Sequence, residues 1–451
     1  MKEKLLFQYY RYLGRCAKKY LKRTGAYSIG VNGSVWKTSC RMIIHQTLQK
    51  AFPDKVIYTS PKNFNGELWM SLSILEVEKW EPRIPYFLKI GALAFWKGVF
   101  WKKSYDAVVL EYGIDRPKEM EFLVSINKPH IWVFTAIDAV HSEQFWNPTE
   151  IAKEEVKMVQ NTREIAFLNA DDTYAQQLVG TLWIDEFTYQ TLWYDSNADL
   201  HFDWEDLKVD LKSKHLVLVD LDISIKREKY HLKTNLLGKP NYWYLTVAIT
   251  IAQILSQHFS GKELDMKHFL KEPLIYQLQP WRCSIFRGKH DSILVDSTYN
   301  ASPLSVRKLI DTTLALQKTM KEKRKVLLVL WDMRELGDLT EEEHRLLAWY
   351  VQQSADYVVL LGKSMHTFLA DEIQKIWFSE EQLTLCHSYK EVAKEVEKIL
   401  KDWKNKWIVL LKWSQNTIFL EEATKLLLAH KEDEKFLTRQ STWWLKKKEV
   451  L

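Results

Sequence analysis

The chain has 451 residues, a formal net charge of +6, 46% hydrophobic residues and 27% charged residues. These proportions exclude a disordered or fibrous chain, and the length exceeds what one hydrophobic core usually fills, so two or three domains are expected. The four cysteines are scattered, without a metal-binding or redox spacing. That usage favours a reducing compartment, and with no secretory signal in the sequence we expect a cytoplasmic protein.

Residues 1–24 are predicted to form a basic amphipathic helix. Between Lys2 and Arg23 stand eight Lys or Arg residues and one Glu, with apolar residues at helical spacing. Two interpretations are open: the helix packs on the domain that follows, or its basic face contacts an anionic membrane surface. Because no aromatic and basic stripe continues into the body of the chain, nucleic acid is not expected as a partner.

Residues 25–280 are predicted to form a central α/β domain with a mostly parallel sheet. Apolar runs such as YSIGV and DAVVLEYG alternate with helical stretches. The most apolar window, IPYFLKIGALAFWKGVF, contains two lysines and is too short to span a bilayer comfortably, so it predicts a buried or interfacial helix. The segment from about 192 to 230 is predicted to be a β insertion, followed by helices at about 244–260 and 265–270.

A second α/β domain is predicted over residues 281–451. The stretch LQPWRCS is typical of an interdomain hinge, and strand-like runs such as KVLLVLWDM and DYVVLLG then alternate with helices again. This restart predicts a Rossmann-like, doubly wound C-terminal domain.

A phosphate-binding loop follows the first strand, in the sequence YSIGVNGSVWKTSC. In such loops backbone N–H groups converge on a phosphate, the lysine reaches the terminal phosphates and the next hydroxyl ligates Mg²⁺. The central domain is therefore predicted to be a P-loop ATPase domain that uses ATP and Mg²⁺. The residues expected to contact the nucleotide here are Gly30, Gly33, Ser34, Lys37, Thr38 and Ser39.

Trp36 contradicts this motif, because the residue before the lysine must let the backbone approach the phosphate closely, as glycine does. The chain has only 14 Gly but 20 Trp, whereas glycine at about 7% would supply roughly 32 residues. We hypothesise that many tryptophans stand where the working protein has glycine, for example through UGA codons that the organism decodes as glycine. The alternative is a natural, Trp-rich protein.

Two further polar positions follow predicted strands. Glu111 ends the strand in VVLEYG, where its carboxylate could face Mg²⁺, and His141 follows the strand in HIWVFTAI. Each residue alone is often structural. Because the sequence also contains a phosphate loop, Glu111 and His141 are both candidates for a metal or phosphate contact.

These motifs together resemble the Mur ligase family. The resemblance rests on GVNGSVWKTS, NFNGELWMSL, YDAVVLEYGIDRPKEM, KPHIWVFTAIDAVHSEQFWN, AFLNADD, QPWRCSIFRG, VDSTYNASPLSV, VLLVLWDMRELGD and LLKWSQNT, in that order. Seven tryptophans fall where the family motifs carry glycine: Trp36, Trp69, Trp132, Trp146, Trp281, Trp331 and Trp413. The family implies an ATP-dependent ligase, here of the branch that adds D-alanyl-D-alanine to a nucleotide-linked muramyl tripeptide during peptidoglycan precursor synthesis. Separately from this resemblance, we expect a monomer.

The resemblance also implies roles for single residues. Lys37 neutralises the β- and γ-phosphates, and Arg282 reaches the phosphates when the domains close. Thr38 ligates one Mg²⁺, and Glu111 and His141 hold the second metal. Glu155 stands where relatives often carry a carbamylated, metal-bridging lysine. The remaining nucleotide contacts fall on Asn241 near the adenine, Asp296 at the ribose and Asn300 in the nucleotide site.

The sequence departs from the family pattern at its beginning. Relatives carry an N-terminal domain that grips the UDP group, whereas fewer than thirty residues precede the phosphate loop here. Three explanations are open: the leader helix and the central domain bind the nucleotide-peptide differently, another chain contributes, or the acceptor is not the usual one. The reaction type is therefore better supported than the substrate. Two alternatives stay open: a sister ligase that adds a single amino acid, and a non-catalytic binding protein if Trp36 is genuine.

Overall fold

The computed structural model describes residues 2–60, 66–77, 84–101, 104–140, 142–145, 147–169, 172–175, 177, 188–192, 200–209, 217–279, 282–376, 380–402, 406–413, 419–440 and 444–445. Two β-sheets organise this part of the chain, one before residue 281 and one after it.

The first sheet has nine strands in the order β2-β3-β1-β4-β5-β6-β7-β8-β9. Their bounds are β1 Tyr27–Asn32, β2 Ile57–Thr59, β3 Ala107–Glu111, β4 Ile131–Phe134, β5 Ile165–Asn169, β6 Thr188–Leu192, β7 Leu200–Val209, β8 Val217–Ile225 and β9 Glu228–Thr234. The strands from β2 to β6 run parallel, whereas β7, β8 and β9 form an antiparallel meander at one edge. The predicted β insertion therefore extends the same sheet.

Helices cover both faces of this sheet. Their bounds are α1 Lys2–Thr24, α2 Lys37–Ala51, α3 Glu67–Ile74, α4 Ile84–Phe100, α5 Glu119–Ile126, α6 Ser142–Phe145, α7 Pro148–Glu155, α8 Lys239–Ser260 and α9 Met266–Phe269. Helix α8 begins five residues earlier than predicted, because Gly238 allows the turn at φ 91° and Pro240 suits a first helical turn.

Side chains alternate between two cores across the strands, as the two-residue period of a strand requires. Ile29 and Val31 of β1 pack with α2 and α8 on one face. On the other face, Val108 of β3 and Phe134 of β4 pack with α1, α3, α4 and α5. Helix α1 thus packs on the central domain, as one of the two interpretations of the basic leader proposed.

The second sheet has six strands in the order β10-β11-β15-β12-β13-β14. Their bounds are β10 Ser284–Gly288, β11 Ser292–Ser297, β12 Arg324–Trp331, β13 Tyr357–Leu361, β14 Leu383–Cys386 and β15 Lys406–Lys412. The helices of this part are α10 Pro303–Thr319, α11 Thr340–Ser354, α12 Ala370–Lys375, α13 Tyr389–Leu400 and α14 Glu421–Leu427. Apart from antiparallel β10, the strands run parallel, so the predicted α/β fold with its doubly wound second sheet is confirmed.

Candidate active site

The phosphate loop joins β1 to α2 in a tight turn over the end of β4. Gly33 adopts φ 122°, and a Cβ there would lie 2.2 Å from the Thr135 hydroxyl oxygen, so only glycine fits. The Ser34 N–H donates to the Ala136 carbonyl at 2.8 Å. The Lys37 ammonium donates to the carbonyls of Gly33 at 2.5 Å and Ser34 at 3.2 Å. The loop thus holds its lysine beside the first turn of α2.

Trp36 is the residue that caps the N-terminus of α2. It adopts the left-handed conformation, φ 61° and ψ 3°, and its side chain makes no capping hydrogen bond. This conformation costs an L-amino acid about 1–2 kcal/mol and costs glycine almost nothing. The half-buried indole forms part of the wall of the cleft above the loop. Backbone and position both therefore favour glycine at residue 36.

Two of the other motif tryptophans stack on each other in the second domain. The rings of Trp331 and Trp413 lie 4.1 Å apart, centroid to centroid, and both side chains are buried. The Trp413 indole N–H has no hydrogen-bond partner among the described residues, which is costly for a buried donor. Trp146 and Trp281 lie outside the described residues.

Glu111, at the end of β3, joins the phosphate loop to a buried arginine. One carboxylate oxygen accepts a hydrogen bond from the Thr38 hydroxyl at 3.1 Å, and the other accepts from Arg41 Nε at 3.0 Å. The Arg41 guanidinium is fully buried and also donates to the Thr59 hydroxyl at 2.7 Å. Arg41 thus gives this buried carboxylate a charged, hydrogen-bonded partner, and one Glu111 oxygen lies beside Thr38.

The pair of Thr38 and Glu111 fits Mg²⁺. The ion prefers hard oxygen ligands and takes few from the protein, since water and phosphate oxygens supply the rest. The Ser34 hydroxyl oxygen in the same loop is buried and has no hydrogen-bond partner within the described part of the chain. In those residues no group of three or more His, Cys, Asp or Glu side chains gathers as a metal site, and His141 lies outside them.

Glu155 reaches the end of β1 from the C-terminus of α7. Its carboxylate accepts a hydrogen bond from Asn32 Nδ2 at 2.6 Å, and the Asn32 side-chain oxygen accepts one from the Trp132 indole. Glu155 is buried against Asn32, the last residue before the phosphate loop, but it is not among the residues that line the cleft. Lys157, two residues further on, points away from this site: its ammonium pairs with Glu154 at 2.8 Å and with exposed Glu121.

A cleft of about 380 Å³ separates the phosphate loop from the second sheet. The central part of the chain contributes Ser34, Trp36, Lys37, Thr38, Ser39, Glu111 and Asn241 to its lining, and the second part contributes Arg282, Ser297, Tyr299, Asn300, Lys308 and Lys412. The volume is in the range of small-ligand sites. Most of the predicted residues therefore surround one cavity.

Three cations of the second part line this cleft: Lys308, Arg282 and Lys412. Arg282 is held over the Tyr299 ring at 5.4 Å, and its Nε has no hydrogen-bond partner among the described residues. Lys412 Nζ donates to the Asn300 carbonyl at 2.7 Å and the Ser297 hydroxyl at 3.2 Å. Burial, reinforced by the neighbouring Arg282 charge, lowers the pKa of Lys412 to about 7. The site therefore holds buried positive charge that an anionic ligand would stabilise.

Asp138 connects the two parts of the chain next to this cleft. It follows β4, and its carboxylate accepts from the Leu304 N–H at 3.1 Å, in the first turn of α10, and from its neighbour Ala139 N–H at 2.8 Å. A carboxylate at a helix N-terminus is a favourable arrangement. Burial raises the pKa of Asp138 to about 6.

Three predicted nucleotide contacts are not among the residues that line the cleft: Gly33 of the loop, Gly30 and Asp296. Gly30 is inside β1, paired with Leu110 and Trp132, and a Cβ there would lie 2.4 Å from Met158 Cε, so this glycine serves packing. Asp296 is fully buried, where desolvation raises its pKa to about 7 and Thr424 donates a hydrogen bond to it.

Three residues of the site were missed from the sequence. Arg41 stands one helical turn after Thr38, a spacing that places both on one face of α2. This spacing could have identified Arg41 as a neighbour of the phosphate loop. Asp138 and Lys412 carried no such signal, because their partners are distant in the sequence.

The comparisons with known proteins agree with this arrangement. The Mur ligase middle domain matches residues 31–252, and the Mur ligase, glutamate ligase domain matches residues 281–412. The UDP-N-acetylmuramoyl-tripeptide--D-alanyl-D-alanine ligase of Bacillus subtilis (strain 168) is 23% identical over 397 residues, which are 86% of this chain and 75% of the relative. The ligase of the same name from Rickettsia prowazekii (strain Madrid E) is 22% identical over 373 residues, 80% of this chain and 71% of that protein.

Solved structures share the fold. MurF from Acinetobacter baumannii superimposes with a TM-score of 0.70 at 16% identity, over 91% of this chain and 79% of that one. The MurF ligase from Thermotoga maritima, solved in complex with ADP, gives a TM-score of 0.65 at 17% identity, over 94% and 83% of the two chains. With both characteristic domains matched in sequence and the same two-sheet fold, the chain belongs to the Mur ligase family.

Proposed function

We propose that this protein is an ATP-dependent ligase that adds D-alanyl-D-alanine to a UDP-N-acetylmuramoyl-tripeptide in the cytoplasm, acting as a monomer. One observation carries the proposal: Lys37 and Thr38 of the phosphate loop share a cleft with Arg282 and Lys412 of the second sheet. Such a cleft can place a nucleotide triphosphate and a carboxylate side by side between cations. The names of the Bacillus and Rickettsia relatives supply the substrates.

The reaction consists of two transfers. A terminal carboxylate oxygen of the tripeptide attacks the γ-phosphorus of ATP, the bond to the β-phosphate oxygen breaks, and ADP leaves. The amine of the dipeptide then attacks the acyl carbon, the amide bond forms, inorganic phosphate leaves and a proton is released. Both steps bring negative groups together, so positioned cations and exclusion of water are the main requirements.

Each cation has a distinct place in this scheme. Lys37 contacts the β- and γ-phosphates from the loop, while Arg282 and Lys412 approach the transferred phosphoryl group from the second sheet. The first backbone N–H groups of α2 face the same phosphates. Thr38 and Glu111 would hold Mg²⁺, which neutralises phosphate charge when bound, and the family resemblance adds His141 and Glu155 as further ligands.

The nucleoside end of ATP would extend toward α8. Asn241 lines the cleft there, with its side-chain amide donating to the Leu237 carbonyl at 2.7 Å, and would approach the adenine. Asn300 lines the opposite wall. A ribose contact by Asp296 requires the cleft to change shape, because that carboxylate is fully buried.

Two other functions are kept as alternatives. A sister ligase that adds a single amino acid would use the same cleft. A non-catalytic binding protein is favoured by one observation, the Trp36 indole in the cleft wall at the point of closest phosphate approach.

Substrate-dependent ADP release separates these functions. The purified chain is supplied with ATP, Mg²⁺ and UDP-N-acetylmuramoyl-tripeptide, and the amine is varied among D-alanyl-D-alanine, D-alanine, L-alanine and D-glutamate. The proposal expects ADP release that needs both tripeptide and dipeptide, and loss of that release in Lys37→Met. Release with a single amino acid instead would identify the sister ligase, and the absence of both ADP release and nucleotide binding would favour the binding protein.

A further inference from the structure

Helix α4 exposes a mostly apolar face to solvent, which the exposed, charged Lys89 interrupts. Leu88, Phe95, Trp96, Val99 and Phe100 are between 39% and 72% exposed, although each is a large hydrophobic residue. Their spacing of three, four and seven residues places them on one side of the helix. An apolar row of this length on a folded protein usually marks a contact surface.

The opposite sides of α4 are fixed by close packing. Ile90 and Ala94 are buried in the core of the central part. Gly91 and Gly98 lie against α1, so closely that a Cβ on Gly98 would come within 3.1 Å of the Cys16 carbonyl oxygen. The apolar row therefore cannot turn inward without breaking this helix pair.

Hydrogen bonds hold α1 and α4 side by side along their length. The hydroxyl of Tyr9 donates to the Phe87 carbonyl at 2.7 Å, and that of Tyr12 donates to the Gly91 carbonyl at 3.0 Å. At the other end, Arg23 donates to the Gly98 carbonyl at 2.7 Å, which satisfies an open carbonyl near the C-terminus of α4. The two helices thus form one rigid surface unit.

Helix α1 exposes positive charge beside this apolar row. Its solvent-facing residues include Arg11, Arg15, Lys18, Lys19 and Lys22. From residue 4 to residue 24 the helix contains no acidic residue. An apolar row flanked by a basic row is the pattern of a helix that lies in the interface of an anionic bilayer.

We propose that this surface, the exposed residues of α1 and α4 named above, docks the protein on an anionic lipid membrane. The apolar side chains of α4 enter the boundary between headgroups and acyl chains, and the arginines and lysines of α1 contact lipid phosphates. Among the described residues, no helix is long and apolar enough to cross a membrane.

A second copy of the chain fits this surface less well than a lipid bilayer. A two-fold dimer would bring the same surface of each copy together. The basic row of one copy would then approach the basic row of the other, and like charges brought together repel. An anionic membrane offers both an apolar layer and negative charge.

Vesicle sedimentation with the full chain tests this proposal. The probes are vesicles of phosphatidylcholine alone and of phosphatidylcholine mixed with phosphatidylglycerol. We expect binding to the mixed vesicles, weak binding to the neutral ones, and loss of binding at high salt, since surface charge is screened. Equal binding to both lipids, or no binding at low salt, would overturn the proposal.

Variants separate the two rows. The apolar variant combines Phe95→Gln, Trp96→Gln and Phe100→Gln, and the basic variant combines Arg15→Gln, Lys18→Gln and Lys22→Gln. Each removed cation should weaken binding roughly fivefold, and the apolar variant should lose at least tenfold. The matched control replaces Leu346 and Trp349, two exposed apolar residues on α11, by Gln and should bind like the wild type.

Two further measurements keep the outcome clear. Circular dichroism during heating shows whether each variant is folded, and the salt titration of the unmodified chain stands even if a variant is not.

Light scattering measures the mass in solution. A dimer that the apolar variant converts to monomer, with no lipid binding, would assign the surface to a second copy. Lipid binding does not require catalysis, so failure here leaves the ligase proposal untouched.

Discussion

Replacing Trp36 by glycine should increase nucleotide affinity while slightly lowering stability. The residue precedes Lys37, adopts φ 61° and contributes its indole to the cleft wall. Glycine removes the side chain from the path of the phosphates and accepts the left-handed conformation. Affinity and stability are therefore expected to change in opposite directions.

The magnitudes follow from three contributions. Relief of the left-handed conformation contributes about 1–2 kcal/mol in favour of glycine, and the greater freedom of unfolded glycine costs about 0.5–1 kcal/mol. Burying roughly half of an indole, on the order of 100 Å², is worth about 2.5 kcal/mol at about 25 cal/mol/Å². The glycine variant should thus be about 1–2.5 kcal/mol less stable than the tryptophan form.

Alanine at residue 36 is the matched control. It removes the indole but keeps a Cβ at φ 61°, so it loses the burial without relieving the backbone. We expect urea denaturation to rank the free energy of unfolding as Trp, Gly, then Ala. Calorimetric titration with ADP should rank affinity as Gly, Ala, then Trp, with at least about tenfold between glycine and tryptophan.

Equal ADP affinity in all three forms would refute the reasoning, because the indole would then not obstruct the phosphate site. The same account expects glycine at residue 36 in protein isolated from its natural source. The mass of the tryptic peptide spanning residues 24–37 measures this directly. A peptide mass that contains tryptophan would favour the binding-protein alternative.

Three other predictions concern charges in and near the cleft. Glu111→Gln should lower the free energy of unfolding, measured by urea denaturation, by about 3 kcal/mol, because it leaves buried Arg41 without its ionic partner. The surface control Glu121→Gln should lower it far less, because an exposed ion pair contributes little. Asp138 has a folded-state pKa of about 6, above its usual 3.8, so between these pH values the folded state binds the proton more tightly than the unfolded state. The free energy of unfolding of the wild type should therefore fall, relative to that of Asp138→Asn, as pH rises from 3.8 to 6. Parallel pH profiles of the two proteins would contradict this. Lys412, with a pKa of about 7, should lose charge and weaken ADP binding as pH rises through 7, whereas Lys412→Arg should stay charged. Because protonation of ADP affects both proteins equally, the ratio of the ADP affinities of wild type and Lys412→Arg reports on Lys412 alone. A ratio that does not change with pH would contradict the prediction.

The sequence predicted the parts of the fold that are local. Buried parallel strands such as β12 are continuous apolar runs, and the phosphate loop is encoded within twelve or so consecutive residues, so both could be recognised. The β7–β9 meander was recognised as β structure, but its place in the first sheet depends on hydrogen bonds to the neighbouring strands and could not be inferred from the segment alone.

The contacts that complete the site join distant residues. Arg41 meets Glu111 across 70 positions, and Asp138 meets the first turn of α10 across 166. The spacing of apolar residues along the chain predicts helices and strands, but it does not reveal which distant residues form a contact. Burial of Lys412 likewise results from the arrangement of the second sheet around it. The outer face of α4 was equally hidden, because both of its sides are apolar and only the packing of Gly91 and Gly98 on α1 decides which one is exposed.

The transfer of an oxygen atom tests the proposed reaction most directly. The terminal carboxylate of the UDP-N-acetylmuramoyl-tripeptide is labelled with ¹⁸O, and the phosphate released in the presence of ATP and D-alanyl-D-alanine is examined by mass spectrometry. An acyl phosphate intermediate requires one carboxylate oxygen to leave with the phosphate. The account predicts one ¹⁸O in the inorganic phosphate; unlabelled phosphate formed alongside the product would contradict it.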